Sequence, residues 1–218
     1  MQIRYRPRPA SNGMDIITKL AEKFARFPGI GERQSKRFVY FLLSQNPDYL
    51  RELVTGIEEL KKHIRQCSSC FIFFQSQNND SICATCRDPK TDATMLMIVE
   101  KDVDVDSVKK SKMYPGKYFV IGGLVPIVTR GTVKAVRVQE LIKTIRDRAQ
   151  TSGMTEVILA FSLSPNGNHT DMYVRELLYP LSQEFGFKVS SLGRGLSTGT
   201  ELEYSDSDTL KYALKNRQ

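Results

Sequence analysis

No apolar run in this chain approaches the roughly 20 residues that a membrane-spanning helix requires; the longest, residues 95–99 and 119–121, fall far short. A transmembrane protein is thereby excluded. Internal repeats and low-complexity tracts are also missing, which argues against solenoids and fibres. No Ser-His-Asp set, Walker A loop or dinucleotide-binding glycine pattern stands where flanking elements would support it. Histidine is scarce, at 2 residues, and neither His63 nor His169 has a partner that spacing identifies, so both read as solvent-facing or capping groups. Acidic residues are in deficit. With 32 Lys plus Arg against 24 Asp plus Glu the formal charge is +8, a positive field that favours a polyanion such as DNA or RNA, although a merely solvated positive face fits the charge equally well. The basic amino-terminal arm, with Arg4, Arg6 and Arg8, has no apolar core after it and does not read as a secretory signal. A cytoplasmic location is expected.

What is present is ordinary globular material: 40% hydrophobic and 26% charged residues in 218, enough for one or two small domains. Pro7 and Pro9 mark residues 1–13 as a flexible arm. From Met14 onward, Ile16, Ile17, Leu20, Phe24 and Phe27 recur at helical spacing, a second helix carries Phe38, Phe41 and Leu42 up to Asn46-Pro47, and a third runs over about 48–64 with Leu50, Leu53, Val54, Ile57, Leu60 and Ile64 on one side. The first 65 residues are expected to be helical. All four cysteines follow, and a polar stretch at 87–94 reads as a connection. Strand-like runs at 95–99, 118–121, 157–161 and 188–192 then alternate with helical patterns, the signature of a mainly parallel sheet with flanking helices.

Three motifs carry chemistry. In Phe27-Pro-Gly-Ile-Gly31, Gly29 and Gly31 permit a tight turn that aims amide N–H groups outward at the start of the next helix. Arg33, Lys36 and Arg37 on the following turns reach the same phosphates, a pattern that resembles a DNA-backbone-binding helix-hairpin-helix. A plain inter-helix connection is the alternative. The second motif is Cys67-x2-Cys70 with Cys83-x2-Cys86, the paired thiolate spacing of a tetrahedral Zn²⁺ site. Two disulfides or a redox dithiol fit less well, and four protein ligands leave no open position for catalysis. The third is Glu100, closing the apolar strand 95–99 where parallel sheets do chemistry. A Toprim domain, which this region resembles, pairs such a Glu with a later Asp-x-Asp to hold Mg²⁺. Here that later stretch is Phe161-Ser-Leu-Ser-Pro-Asn-Gly-Asn168, without a carboxylate, and Asp104-Val-Asp106 is expected to cap or begin a helix instead.

Taken in order, the Pro-Gly-Ile-Gly hairpin, the four-cysteine knot, the degenerate Toprim domain opening with Ile-Val-Glu100, Ile121-Gly-Gly-Leu124 and the tail Arg194-Gly-Leu-Ser-Thr-Gly-Thr-Glu-Leu-Glu-Tyr204 resemble the RecR family of bacterial recombination mediators. The resemblance implies a multi-domain α plus α/β chain: arm 1–13, helix-hairpin-helix 14–65, four-cysteine zinc finger 66–90, Toprim-like domain 91–192, and a short helical tail and subunit contact at 193–218. It implies a non-catalytic clamp on single- and double-stranded DNA in recombinational repair, assembled as a homo-oligomeric, tetrameric ring. With RecO, and RecF, such a clamp helps RecA replace single-strand-binding protein. Arg33 and Arg37 fall on the family's basic DNA-contact positions and Cys67, Cys70, Cys83 and Cys86 on its zinc ligands; Gly29, Gly31 and Lys36 are DNA-binding candidates from the hairpin pattern itself. Glu100, Asp104, Asn166 and Asn168 are candidates for a partner site on the Toprim domain.

Three departures stand out. Asn166-Gly-Asn168 replaces the family's acidic Glu-Gly-Glu, residues 125–131 replace a Pro- and Asp-rich loop, and Ser197 and Thr200 stand where the tail usually has Pro and Gly. The rival expectation is an active Toprim nuclease, topoisomerase or primase-like enzyme using Glu100 with Asp102, Asp104 or Asp106 and Mg²⁺. A protein-interaction adaptor is the third.

Overall fold

A computed structural model describes residues 15–76, 78–127, 136–193, 196, 199 and 201–215. The basic arm, residues 128–135 and the tail positions Arg194, Ser197 and Thr200 lie outside the described residues. The chain divides into two compact units, residues 1–62 and 63–218.

The first unit is helical. Helix α1 (Ile16–Phe24) and helix α2 (Glu32–Leu43) form a hairpin, with Ala21, Ser35 and Val39 buried. Asn46 then caps the next helix, α3 (Pro47–His63), its side-chain oxygen accepting from the Tyr49 amide at 2.8 Å. Pro47 occupies the first turn, where a missing N–H costs nothing. The apolar stripe of α3 is real, but no residue of α3 is buried; Val54, Ile57 and Leu60 are all more than half exposed.

Strand β1 (Ile64–Gln66) follows without a break and pairs antiparallel with β2 (Phe73–Gln75). The expectation of helix through residue 65 therefore runs two residues too far. The pairing of Ile64 with Gln75 and of Arg65 with Phe74 turns those residues into the base of the cysteine knot.

After the short helix α4 (Ala84–Arg87) come β3 (Asp92–Val99), α5 (Asp102–Ser111), β4 (Gly116–Val120), α6 (Val138–Ser152), β5 (Glu156–Ala160), α7 (Pro165–Phe185), β6 (Lys188–Ser191) and α8 (Ser207–Lys215). The sheet order is β4-β3-β5-β6, every neighbouring pair parallel. Alternation along the strands sorts the core into two layers. Leu96, Ile98, Phe119, Val157 and Leu159 join Leu141 and Ile145 of α6 and Val174 and Leu178 of α7 in one buried cluster. Met97, Val99, Tyr118 and Val120 join Val105 of α5, Ile72 and three of the cysteines in the other. The knot thus closes the second face of the sheet. No helix among the described residues is long and apolar enough to cross a membrane.

Gly167, in the first turn of α7, is held against the loop after β5. A Cβ there would overlap the Ser162 carbonyl and hydroxyl, whereas one at Gly31 would meet nothing within 4 Å. Gly167→Ala is expected to cost about 2–3 kcal/mol by overpacking, and Gly31→Ala under about 1 kcal/mol at its helix-capping position. Thermal unfolding of the two variants side by side checks this; equal losses would contradict the packing assigned to Gly167.

Candidate nucleic-acid interface and metal centre

The hairpin between α1 and α2 is shaped by Pro28 and Gly29. Ile30 N–H donates to the Phe27 carbonyl at 3.1 Å and Gly29 has φ +77°, the arrangement of a turn with Pro second and a left-handed Gly third. Edge-to-face contacts of Phe24 with Phe27 and Phe38, both at 5.7 Å, lock the helices behind it. Gly31 then caps α2 in extended conformation with no side chain bonded to the first-turn amides. Those amides lack intrahelical acceptors by geometry and carry the positive end of the helix dipole. Arg33, Lys36 and Arg37 are exposed on the same helix and form no ion pair among the described residues; Arg37 touches only Gln34, at 3.4 Å. Lys36 also lines a groove of about 410 Å³ with Arg26, Glu22 and Glu32. Arg26 was not legible as a site residue, because it precedes the glycine motif and counts there only as the end of an amphipathic helix.

The cysteine knot is built from two turns. In the first, Cys67 N–H donates to the Ile72 carbonyl at 2.9 Å and Phe71 N–H to the Cys67 carbonyl at 3.0 Å, with Phe71 itself at φ 63°. In the second, Arg87 N–H closes on the Cys83 carbonyl at 3.1 Å. Ser68 N–H to the Ser81 carbonyl, 2.8 Å, ties the two together. All four Sγ atoms lie within 4.8 Å of one another, and Cys70 and Cys83 are 3.5 Å apart. A tetrahedral ion with metal–sulfur bonds of about 2.3 Å sets its ligands about 3.8 Å apart, so the four fit one metal ion, and the thiols are free of disulfides. Among the described residues no other group of three or more His, Cys, Asp or Glu converges in this way.

The sulfurs share their protons unevenly. The hydrogen bond with Cys70 holds Cys67 well below the usual thiol range, and the same contact holds Cys70 well above it. Cys67 likewise pushes Cys86 up. Cys67 also pushes Cys83 up, but Cys70 and Cys86 outweigh it and bring that thiol down to about 6. The opposed directions arise because the four sulfurs lie close enough to share hydrogen bonds, and thiolate is the form a metal takes.

The knot is bolted to β4, an edge strand of the sheet. Val120 N–H donates to the Cys70 carbonyl at 2.9 Å, the Phe71 ring packs edge-on against Phe119 at 5.2 Å, and Arg137 lies over the Phe71 ring at 5.2 Å. Phe73 N–H donates to the Asp102 carboxylate at 2.7 Å. Asp102 is thereby committed to structure.

Glu100 sits half-buried just past β3, beside the point where the chain switches from one side of that strand to the other, the usual ligand crevice of such sheets. It lines a cavity of about 310 Å³ with Lys101, Asp104, Ser107, Phe161 and Ser162. Asp104 does the capping expected of it: its carboxylate accepts from the Lys101 amide at 3.0 Å. Asn166 and Asn168 stand in the first turn of α7 behind the capping Ser164, whose hydroxyl accepts from Gly167 N–H at 3.1 Å, and Asn168 donates to the Leu163 carbonyl at 3.4 Å. Glu100 and Asp104 are thus brought to one cavity, whose lining excludes Asn166 and Asn168.

Comparison with known proteins gives a consistent picture. Residues 195–218 match the family model described as RecR, C-terminal. The Recombination protein RecR of Bifidobacterium longum subsp. infantis is 35% identical over 202 residues, 93% of this chain and 95% of the relative. That of Cyanothece sp. is 33% identical over the same shares, and that of Lactococcus lactis subsp. cremoris 31% identical over 92% of this chain and 96% of its own.

Metal analysis of the purified chain is expected to find one ion per chain, zinc by its all-thiolate donors. Because binding displaces thiol protons, chelator-accessible metal should increase as the buffer is acidified. Cys83→Ser should release the ion altogether. A full complement of metal in Cys83→Ser would show that the four sulfurs are not its ligands.

Proposed function

The chain belongs to the RecR family of recombination proteins, and from that premise we propose that it serves recombinational DNA repair as a non-catalytic clamp on DNA. It grips the sugar-phosphate chain of single or double strands and, with RecO and RecF, helps RecA replace single-strand-binding protein. The observation that carries this reading is the uncapped start of α2 with open space at Gly29 and Gly31, backed by the unpaired cations Arg33, Lys36 and Arg37. Bare amides and a helix dipole bind phosphate without reading bases.

Retention follows from closure of a ring, a homotetramer in this reading. Two surfaces support assembly. The apolar stripe of α3 is left uncovered, and Leu202, Tyr204 and Leu214 near the carboxyl end are each more than 60% exposed. Contiguous apolar surface of this kind marks association. Zinc at Cys67, Cys70, Cys83 and Cys86 braces the scaffold and takes no part in chemistry. With amides at Asn166 and Asn168, the RecO contact cannot rest on carboxylates at those two positions, and Glu100 and Asp104, which line one cavity, are the acids proposed for it. Action on DNA fits a cytoplasmic location.

The competing enzyme reading needs clustered acids for Mg²⁺; Asp104 is occupied by its cap and Asp102 by Phe73. Titrating labelled DNA across salt, with and without Mg²⁺, tests both. Affinity should fall with a log–log slope of about −0.9 per phosphate on duplex and about −0.7 on single strands. Arg33→Ala with Arg37→Ala should flatten that slope, and the DNA should be recovered intact. An unchanged slope would reject the contact surface; Mg²⁺-dependent nicking lost in Glu100→Gln would make the protein an enzyme.

A further inference from the structure

Lys117 is a charged residue in an otherwise apolar strand, and it is only 6% exposed. Its Nζ lies 2.8 Å from the Thr85 carbonyl, 2.9 Å from that of Asp88 and 3.3 Å from that of Cys86. An ammonium carries three N–H donors, and the three carbonyls supply one acceptor for each. That charge has no carboxylate partner among the described residues. The Asp88 side chain faces elsewhere, accepting from the Lys90 amide at 2.9 Å. Two other cations at this turn are exposed: Lys109, bonded to the Thr85 hydroxyl at 3.1 Å and set over the Tyr118 ring, and Arg87, which donates to the Ile82 carbonyl at 3.0 Å and pairs with Asp80 at 3.0 Å.

A buried cation without an anion is strongly disfavoured. One source of negative charge lies in the same turn: four thiolates around one divalent ion carry a net charge of 2−. We propose that Lys117 is a positioning residue for the metal centre, its ammonium offsetting the charge of the metal–thiolate cluster while it clamps the Cys83–Cys86 turn onto β4. The inference rests on the metal reading of the four cysteines. Groups one step removed from a metal commonly control affinity by about 10- to 100-fold, and a charge in a site screened from water acts more strongly than at the surface.

The test is zinc affinity by chelator competition on purified full-length chains, with circular dichroism confirming the fold and the thiolate-to-metal absorption of the Co²⁺-loaded protein reporting ligation. Lys117→Met should bind zinc about 10- to 100-fold more weakly, whereas Lys117→Arg, which keeps the charge, should stay within about threefold of the parent. Charge is separated from clamping by repeating Lys117→Met in a Cys86→His background, where the cluster carries 1− instead of 2−. The penalty should shrink by at least about threefold there, since coupled sites are not additive; an equal penalty in both backgrounds overturns the electrostatic role. Should Lys117→Met not fold, the arginine variant decides alone: a loss of about tenfold or more overturns the inference. Parent protein that takes up no zinc would instead defeat the metal reading itself, an outcome seen before any Lys117 variant is made.

Discussion

Strand β4 is hydrogen-bonded to a neighbour strand on one side only, and everything in the larger unit follows from what covers its other side. An open edge of five buried residues is a template for pairing with other chains. The chain covers it with a peptide too short to hold a shape by itself: two three-residue strands and a four-residue helix. Such a segment cannot bury enough apolar surface to repay the entropy of ordering it. Four inward-facing sulfurs supply what packing cannot, and the ordered knot then lends the sheet a backbone acceptor at Cys70, a ring at Phe71 and a carbonyl nest around Lys117. A metal ion held by these sulfurs would serve as edge protection.

The helical unit solves a different problem with different means. In the proposed reading its task is to present unsatisfied amides to solvent, which a folded protein normally avoids, on a framework of three phenylalanines and a few small buried residues. The buried contact between α1 and α2 is modest, and the longest apolar stripe, on α3, leaves Val54, Ile57 and Leu60 more than half exposed among the described residues. The proposed reading thus divides grip and rigidity between the two units, with Arg33, Lys36 and Arg37 on the first and the four-cysteine knot on the second.

Much of this was legible in the residues. The Cys-x2-Cys pairs announced the cluster of four sulfurs that could hold a metal ion, because tetrahedral coordination tolerates few other spacings, and the unbroken apolar run at residues 95–99 announced a strand buried on both faces. The Pro28-Gly29 turn was legible for the same kind of reason, since only glycine enters the left-handed region cheaply. What escaped was whatever depends on neighbours distant in sequence. Ile64–Gln66 looks like the last turn of α3 because nothing local distinguishes it; it becomes a strand only through Phe73–Gln75. Lys117 is indistinguishable from a surface lysine until the Thr85–Asp88 carbonyls close around it. Asp102 and Asp104 share an acidic run, yet one anchors the knot and the other caps a helix, a split that tertiary contacts alone decide.

Gly167 separates two kinds of pressure on one short segment. Its missing side chain lets the loop after β5 lie against α7, so that position is frozen by sterics, whereas Asn166, immediately before it, is exposed to solvent and carries none of that burden. Asn166 can therefore change its side-chain chemistry without touching that packing, whereas Asn168, whose amide donates to the Leu163 carbonyl, cannot become a carboxylate without losing the bond. Three successive positions thus carry three different constraints: one exchangeable, one frozen, one tethered.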